Sequence, residues 1–103
     1  MASKTAYSTI LSSRAQKEIA ASWDWYEDRQ AGLGDRFVKE VIIRLRQIEQ
    51  SPERYPNKHK FYKETLVDTF PFLIIYRLNK RKKSVRILSV FHISQNPKKK
   101  YKA

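Results

Sequence analysis

The sequence contains no cysteine, which excludes disulfides and cysteine-ligated metal sites and makes the reducing cytosol the natural compartment. Its two glycines, Gly32 and Gly34, stand apart from any strand–helix junction, so no Walker-type or dinucleotide-type loop can cradle a phosphate. Its two histidines, His59 in a loop and His92 at a strand end, make no convincing metal site by themselves; no cofactor is expected. No apolar run approaches the ~20 residues of a membrane span, and Met1-Ala2-Ser3-Lys4-Thr5 lacks an apolar signal segment. The expectation is a soluble cytoplasmic protein with no membrane partner. One further absence is local: residues 69–103 contain no acid.

That last absence dominates the charge pattern. The formal net charge is +12. Residues 1–68 hold twelve Lys/Arg and all ten Asp/Glu, a net of +2, whereas residues 69–103 hold ten Lys/Arg alone, a net of +10. A one-sided field of this kind attracts polyanions, either nucleic acid or an acidic protein segment. For Lys98, Lys99 and Lys100 a merely solvated tail is an equally good reading. A chain of 103 residues is one domain with a modest core that needs no staple, residues 94–103 forming a basic tail.

The chain is organised around two β-rich runs, Thr69 to Leu78 and Ser84 to His92, joined by Asn79-Lys80-Arg81-Lys82-Lys83. The connection is too short for a crossover helix, so the pair is an antiparallel hairpin. The first run is apolar on both faces: Phe72, Ile74 and Tyr76 point one way, Leu73 and Ile75 the other. Such a strand requires cover on both sides. Ahead of it, Tyr7 to Leu11 is a short strand. Ser13 with Gln16 fits a capping box that opens a helix with the stripe Ala15, Ile19, Trp23 and Tyr26, stopped at Gly32. Leu33-Gly34-Asp35 connects tightly into a second helix bearing Phe37, Val38, Val41, Ile42, Leu45 and Ile48, ended by Ser51-Pro52. Glu53 to Lys60 is loop, and Phe61 to Val67 a strand. The fold class is α+β: an N-terminal strand, an antiparallel helical hairpin, and a three-stranded antiparallel meander, with the helices on one face of the sheet. Two helices cover one face, so the other is a docking surface.

The acids lie mostly on helix surfaces and form no catalytic pair. Any reaction must rest on Lys, Arg, His and Tyr, the inventory of a metal-free endoribonuclease: a base for the 2′-hydroxyl, an acid for the leaving oxygen, and cations for the transition state. Lys63, Arg77, Arg86 and His92 are the candidates, although exposed strand faces commonly carry such residues and a histidine held by a backbone carbonyl is commoner than a general acid. Phe61, Tyr62 and Trp25 can stack on bases, or simply pack.

Six segments together resemble a known family. They are Ser12-Ser13-Arg14-Ala15, Ile19-Ala20-Ala21-Ser22-Trp23-Asp24-Trp25-Tyr26, Gly32-Leu33-Gly34-Asp35-Arg36-Phe37, Ser51-Pro52-Glu53-Arg54-Tyr55-Pro56, Phe70-Pro71-Phe72-Leu73-Ile74-Ile75-Tyr76-Arg77 and Val90-Phe91-His92-Ile93-Ser94-Gln95-Asn96-Pro97. In that order they resemble the ParE branch of the RelE/ParE toxin superfamily over nearly the whole chain. The resemblance implies two helices packed on an antiparallel sheet and the toxin half of a bacterial type II toxin–antitoxin pair, as in plasmid stabilisation systems. It implies a cognate antitoxin, often acidic in its C-terminal segment, that wraps the toxin in a hetero-oligomer. The antitoxin binds operator DNA, which the toxin then meets only indirectly.

Within the superfamily, RelE-like members are ribosome-dependent mRNA endonucleases and ParE-like members poison DNA gyrase. By alignment, the strand arginine of the nucleases falls at Leu73, their second arginine near Ile93 and their C-terminal tyrosine near Lys99, although a shift of two residues puts Tyr101 there. A His-Tyr pair is not matched either, since Ile93 follows His92; Lys63 alone stands where those enzymes have a basic residue. The resemblance therefore implies a non-catalytic toxin with gyrase as first target. The alternative is a RelE-like nuclease acting on the ribosome through Lys63, Arg77, Arg86 and His92; an inactive relative or a nucleic-acid-binding module remains a third reading. The candidate contacts with target or antitoxin are Lys80, Arg81, Lys82, Lys83, Lys98, Lys99 and Lys100, from charge, and Phe72, Ile74 and Tyr76, from apolarity.

Overall fold

A computed structural model describes residues 7–102, so the segment Met1 to Thr5 lies outside the described residues. Strand β1 (Ser8–Leu11) leads into helices α1 (Ser13–Arg29) and α2 (Leu33–Gln50). Four strands follow: β2 (Asn57–His59), β3 (Tyr62–Leu66), β4 (Phe72–Asn79) and β5 (Ser84–His92), then a short 3-10 turn (Pro97–Lys99). All five strands form one sheet in the order β1-β5-β4-β3-β2. The meander is antiparallel, but β1 lies parallel to β5, with Ser8 opposite Ser84 and Leu11 opposite Ile87. The sheet is therefore mixed, the chain between β1 and β5 running through the helical hairpin and the other three strands. The β2 strand falls inside a segment read from its prolines as loop. It is three residues long, exposed throughout and irregular in register, features that leave no periodicity to detect.

The α1 cap is Ser12, one residue before the serine expected. Its hydroxyl accepts from the Ala15 N–H (3.0 Å) and donates to the Leu88 carbonyl (2.7 Å), so the cap also fastens helix to sheet. The expected capping-box glutamine, Gln16, instead donates to the Leu11 carbonyl. Helix α1 ends at Arg29, before the glycine expected to stop it. Gly32 has φ +89° and begins α2, a left-handed geometry that glycine adopts at little cost. Lacking a side chain, it cannot cap; the Glu27 carboxylate of α1 accepts the N–H groups of Gly32 (2.8 Å) and Gly34 (2.9 Å) in its place, where the helix dipole favours an anion. Gly34 is buried inside α2, against Trp23. Of the expected α2 face, Phe37, Val41 and Ile48 are buried, whereas Ile42 is 42% exposed.

Both helices pack on one face of the sheet. Ala15, Phe37, Val41, Ile48, Phe72, Ile74, Tyr76, Val85, Ile87 and Val90 belong to this core. Tyr26, Phe37, Phe70 and Phe72 form an aromatic cluster with centroid separations of 4.8–6.3 Å, each such pair adding about 1 kcal/mol beyond its area. The β4 alternation is as expected: Phe72, Ile74 and Tyr76 join the helix-side core, Ile75 and Leu73 the opposite cluster. In β5 the alternation breaks. Tyr76 pairs with Ile87 and Ile75 with Ser89, so Leu88 is an extra residue in a β-bulge. The α1 helix satisfies the bulge: Ser12 Oγ bonds to the Leu88 carbonyl, and Glu18 accepts from Ser89 Oγ (2.7 Å) and the Val90 N–H (2.9 Å).

Candidate functional site

The sheet face turned away from the helices carries Tyr62, Glu64 and Leu66 from β3 and Leu73, Ile75 and Arg77 from β4, paired across the ladder. From β5 it takes Arg86, which pairs with Arg77, and the bulge-shifted Leu88 and Phe91. A small apolar cluster of Ile75, Leu88 and Phe91 is roofed by Tyr62, Leu73 and Tyr101. The chain thus covers part of its own second face with its basic tail. Three tail carbonyls, of Lys99 (2.8 Å), Lys100 (3.0 Å) and Lys102, accept from the Arg14 guanidinium. Tyr101 stacks on His59 (centroids 4.2 Å apart) and Tyr62 (5.5 Å), and its hydroxyl donates to Glu64. Lys100 Nζ lies 3.3 Å from Glu64, which is only 8% exposed. Burial, with the bonded Glu64 carboxylate beside it, pushes the Tyr101 phenol well above its ordinary pKa. A phenol so held is a poor proton acceptor at neutral pH.

Beyond the roofed patch the face is cationic. Arg77 and Arg86 are direct cross-strand partners, both exposed, and neither forms an ion pair among the described residues. Like charges directly opposite destabilise a sheet. The Arg77 guanidinium lies 3.9 Å over the Phe61 ring, a cation–π contact that holds it in place. The pair opens into a cleft of about 320 Å³ that Ser12, Ser13, Arg14, Tyr62 and Leu88 complete. At the hairpin tip Lys80, Arg81, Lys82 and Lys83 are all exposed. Asn79 Oδ1 accepts the Lys82 N–H and Lys83 turns the chain at φ +54°. Lys80 meets Glu53 at 3.3 Å with both side chains in solvent, an interaction of at most about 1 kcal/mol.

The other candidates are elsewhere. Lys63 pairs with Tyr76 on the helix side of β3, its Nζ donating to the Tyr55 carbonyl (2.8 Å). His92 closes β5 beside Phe72 (ring centroids 4.9 Å), and its Nδ1 accepts the Ser94 N–H (3.1 Å), so in the neutral ring the proton sits on Nε2. It lines a second cleft with Trp25, Tyr26 and Gln95. Arg86 and His92 are six residues apart along one strand, roughly 20 Å at the usual rise. The structure brings Arg77 and Arg86 together and separates them from Lys63 and His92. Lys98 and Lys99 are exposed, whereas Lys100 is tied to Glu64. Phe72, Ile74 and Tyr76 require correction as contact residues: at 3%, 0% and 0% exposure they belong to the core under the helices, Phe72 alone touching the cleft beside His92. Of the exposed apolar groups, Ile10 and Leu66 lie on the open sheet face, with Leu73 in part open beside them.

Sequence reasoning missed the roles of Arg14, Glu64 and Tyr101, whose contacts span 36 to 88 residues of chain. The one available signal was an aromatic residue set among the lysines of the tail. Among the described residues no three His, Asp or Glu side chains converge as a metal site.

Comparison with known proteins gives one family. The model of the ParE toxin of the type II toxin–antitoxin system parDE matches residues 9–97, from β1 to the final turn. A solved structure of the chromosomal ParDE toxin–antitoxin system from P. aeruginosa superposes with a TM-score of 0.73 at 16% identity, covering 84% of this chain and 95% of that chain; at that identity the likeness is one of fold. No curated protein matches the sequence significantly.

Proposed function

The chain belongs to the ParE toxin family of type II toxin–antitoxin systems, and from that premise we propose that it acts by binding and poisoning DNA gyrase rather than by cleaving RNA. The observation that carries this reading is the dispersal of the candidate acid–base groups Lys63, His92 and Tyr101 relative to the arginine pair. Cleavage at a 2′-hydroxyl needs a base, an acid and a cation within hydrogen-bond reach of one phosphate. Here Lys63 serves the Tyr55 carbonyl on the far side of the sheet. His92 lies some 20 Å along β5 from Arg86, and the Tyr101 phenol is bound to Glu64 with its pKa raised. Where the resemblance puts the nuclease arginines and tyrosine stand Leu73, packed on the small apolar cluster, and the exposed Ile93 and Lys99. What remains is a surface for a macromolecule.

A toxin of this family is held in check by an antitoxin. Its binding surface here is the open sheet face, where Ile10 (44% exposed) and Leu66 (56%) offer apolar contact and the basic hairpin tip beside it attracts an acidic segment. The resulting complex is a hetero-oligomer. Supercoiling of relaxed plasmid by gyrase, with purified toxin titrated in and cleaved DNA scored beside topoisomers, tests the target. Inhibition with trapped double-strand breaks is expected, unchanged by Lys63→Ala or His92→Ala. No inhibition by excess folded protein overturns the reading and leaves ribosome-dependent RNA cleavage in its place.

A further inference from the structure

We propose that the cleft at Arg77, Arg86 and Tyr62 binds the phosphodiester backbone of single-stranded nucleic acid. The proposal goes beyond the gyrase reading and does not depend on it.

Two guanidiniums set directly opposite on neighbouring strands, exposed and without a counter-charge among the described residues, repel each other in the free protein. An anion placed between them turns that repulsion into two charge-assisted hydrogen bonds. The cleft of about 320 Å³ between the pair, Ser13 and Tyr62 is the space for it. The Ser12 hydroxyl is already committed to Leu88 and the Arg14 guanidinium to Glu18 and the tail, so the cations that face the ligand are Arg77 and Arg86. Cation continues beyond the pair at the exposed hairpin tip, where Arg81, Lys82 and Lys83 follow in the turn after β4.

A carboxylate on a peptide would satisfy the charges equally well; the aromatic residues favour a nucleotide. Phe61, 45% exposed, lies beside the pair with the Arg77 guanidinium resting on its ring, and the half-buried Tyr62, itself stacked on Tyr101, stands with its centroid 4.9 Å away. Cations that track a backbone beside rings that accept base faces are the chemistry of single-strand binding. Bases reach rings on an open sheet only when unstacked from a duplex. The cleft lining contains neither histidine nor carboxylate, and the function proposed for it is binding.

Fluorescence anisotropy with a labelled oligothymidylate of about 12 nucleotides, within the range of single-strand sites, tests the proposal on the full chain; an RNA of equal length distinguishes the two sources of phosphodiester. Binding of either strand, weaker for a duplex of the same length, is expected. The double variant R77Q/R86Q should bind about tenfold more weakly and lower the slope of log K against log salt by about 1.4, two contacts at about 0.7 each. K98Q/K99Q should change affinity less. Both arginines are exposed and mutually repulsive, so the double variant should melt at or above the wild-type temperature. Undiminished binding by folded R77Q/R86Q overturns the proposal. Displacement of the oligonucleotide by an oligoglutamate peptide as effectively as by unlabelled strand also overturns it, and assigns the cleft to an acidic protein segment. Gyrase inhibition enters neither result, so this site and the gyrase reading fail separately.

Discussion

Replacing Glu18 with alanine is expected to destabilise the protein by about 2–4 kcal/mol, more than loss of an acid on a helix surface normally would. One carboxylate oxygen accepts from both Ser89 Oγ (2.7 Å) and the Val90 N–H (2.9 Å), and the other from Arg14 Nε (3.1 Å). Ser89 and Val90 are 0% and 1% exposed, so neither orphaned donor regains water when the acceptor is removed. A buried unsatisfied donor costs about 1–3 kcal/mol. The serine hydroxyl can rotate to another acceptor and adds roughly 1 kcal/mol, while the partly exposed Arg14–Glu18 pair adds less than about 0.5 kcal/mol. At about 4–8 °C per kcal/mol for a domain of this size, the melting temperature falls by roughly 10–30 °C. Glu18→Gln retains a carbonyl oxygen in nearly the same place and should lose only about 1 kcal/mol. Urea unfolding followed by circular dichroism, with m unchanged across the series, reads both. A loss below about 0.5 kcal/mol for Glu18→Ala, within the usual scatter of surface substitutions, would show that the bulge satisfies its own backbone and that α1 does not hold it.

Gly34→Ala tests the helical hairpin: a Cβ there meets Trp23 Cδ1, Nε1 and the backbone oxygen at 2.8 Å. The expected cost of about 1–3 kcal/mol exceeds alanine's helix-propensity gain of about 1 kcal/mol, and a melting temperature at or above wild type refutes the close approach. Tyr76 donates to the Pro52 carbonyl (2.7 Å), and burial, with the neighbouring Tyr55 phenolate adding, raises its phenol pKa. The folded state therefore holds this proton more tightly than the unfolded chain, and the associated stability is complete below pH ~10, the ordinary tyrosine value, and is lost as pH rises beyond it. Tyr76→Phe should cost about 1 kcal/mol at neutral pH and flatten that alkaline decline; an identical decline in the variant counts against the assignment. Tyr101→Ala removes the stacking on His59 and Tyr62 and the bond to Glu64, so amide exchange of residues 98–102 should speed up and dye binding to Ile75, Leu88 and Phe91 should rise. Unchanged exchange would place the anchor of the tail in Arg14 alone.

What the sequence determined by itself is what depends on near neighbours along the chain. The alternation of Phe72 to Tyr76, the polar connection 79–83 and the spacing of Phe37, Val41 and Ile48 specify a hairpin and an amphipathic helix, because side-chain direction follows from strand and helix geometry alone. Those elements, in that order, sufficed for the α+β class, whereas the family resemblance rested on six sequence segments between Ser12 and Pro97. The two faces of β4 were legible for the same reason. Which of them lay under the helices was not: Phe72, Ile74 and Tyr76 and Leu73 and Ile75 are equally apolar, and only docking of α1 and α2 distinguishes them. The Leu88 bulge was hidden because its cause, Glu18 and Ser12, lies more than seventy residues away. The facing of Arg77 by Arg86 is a matter of hairpin register, and their separation from Lys63 and His92 a matter of sheet face and strand length. The tail read as cationic, either solvated or a contact surface, yet Arg14 and Glu64 fasten it across the sheet. Tertiary structure decided each of these because partners distant in sequence meet only after the chain has closed, and no local periodicity records whom a carbonyl or a carboxylate will meet.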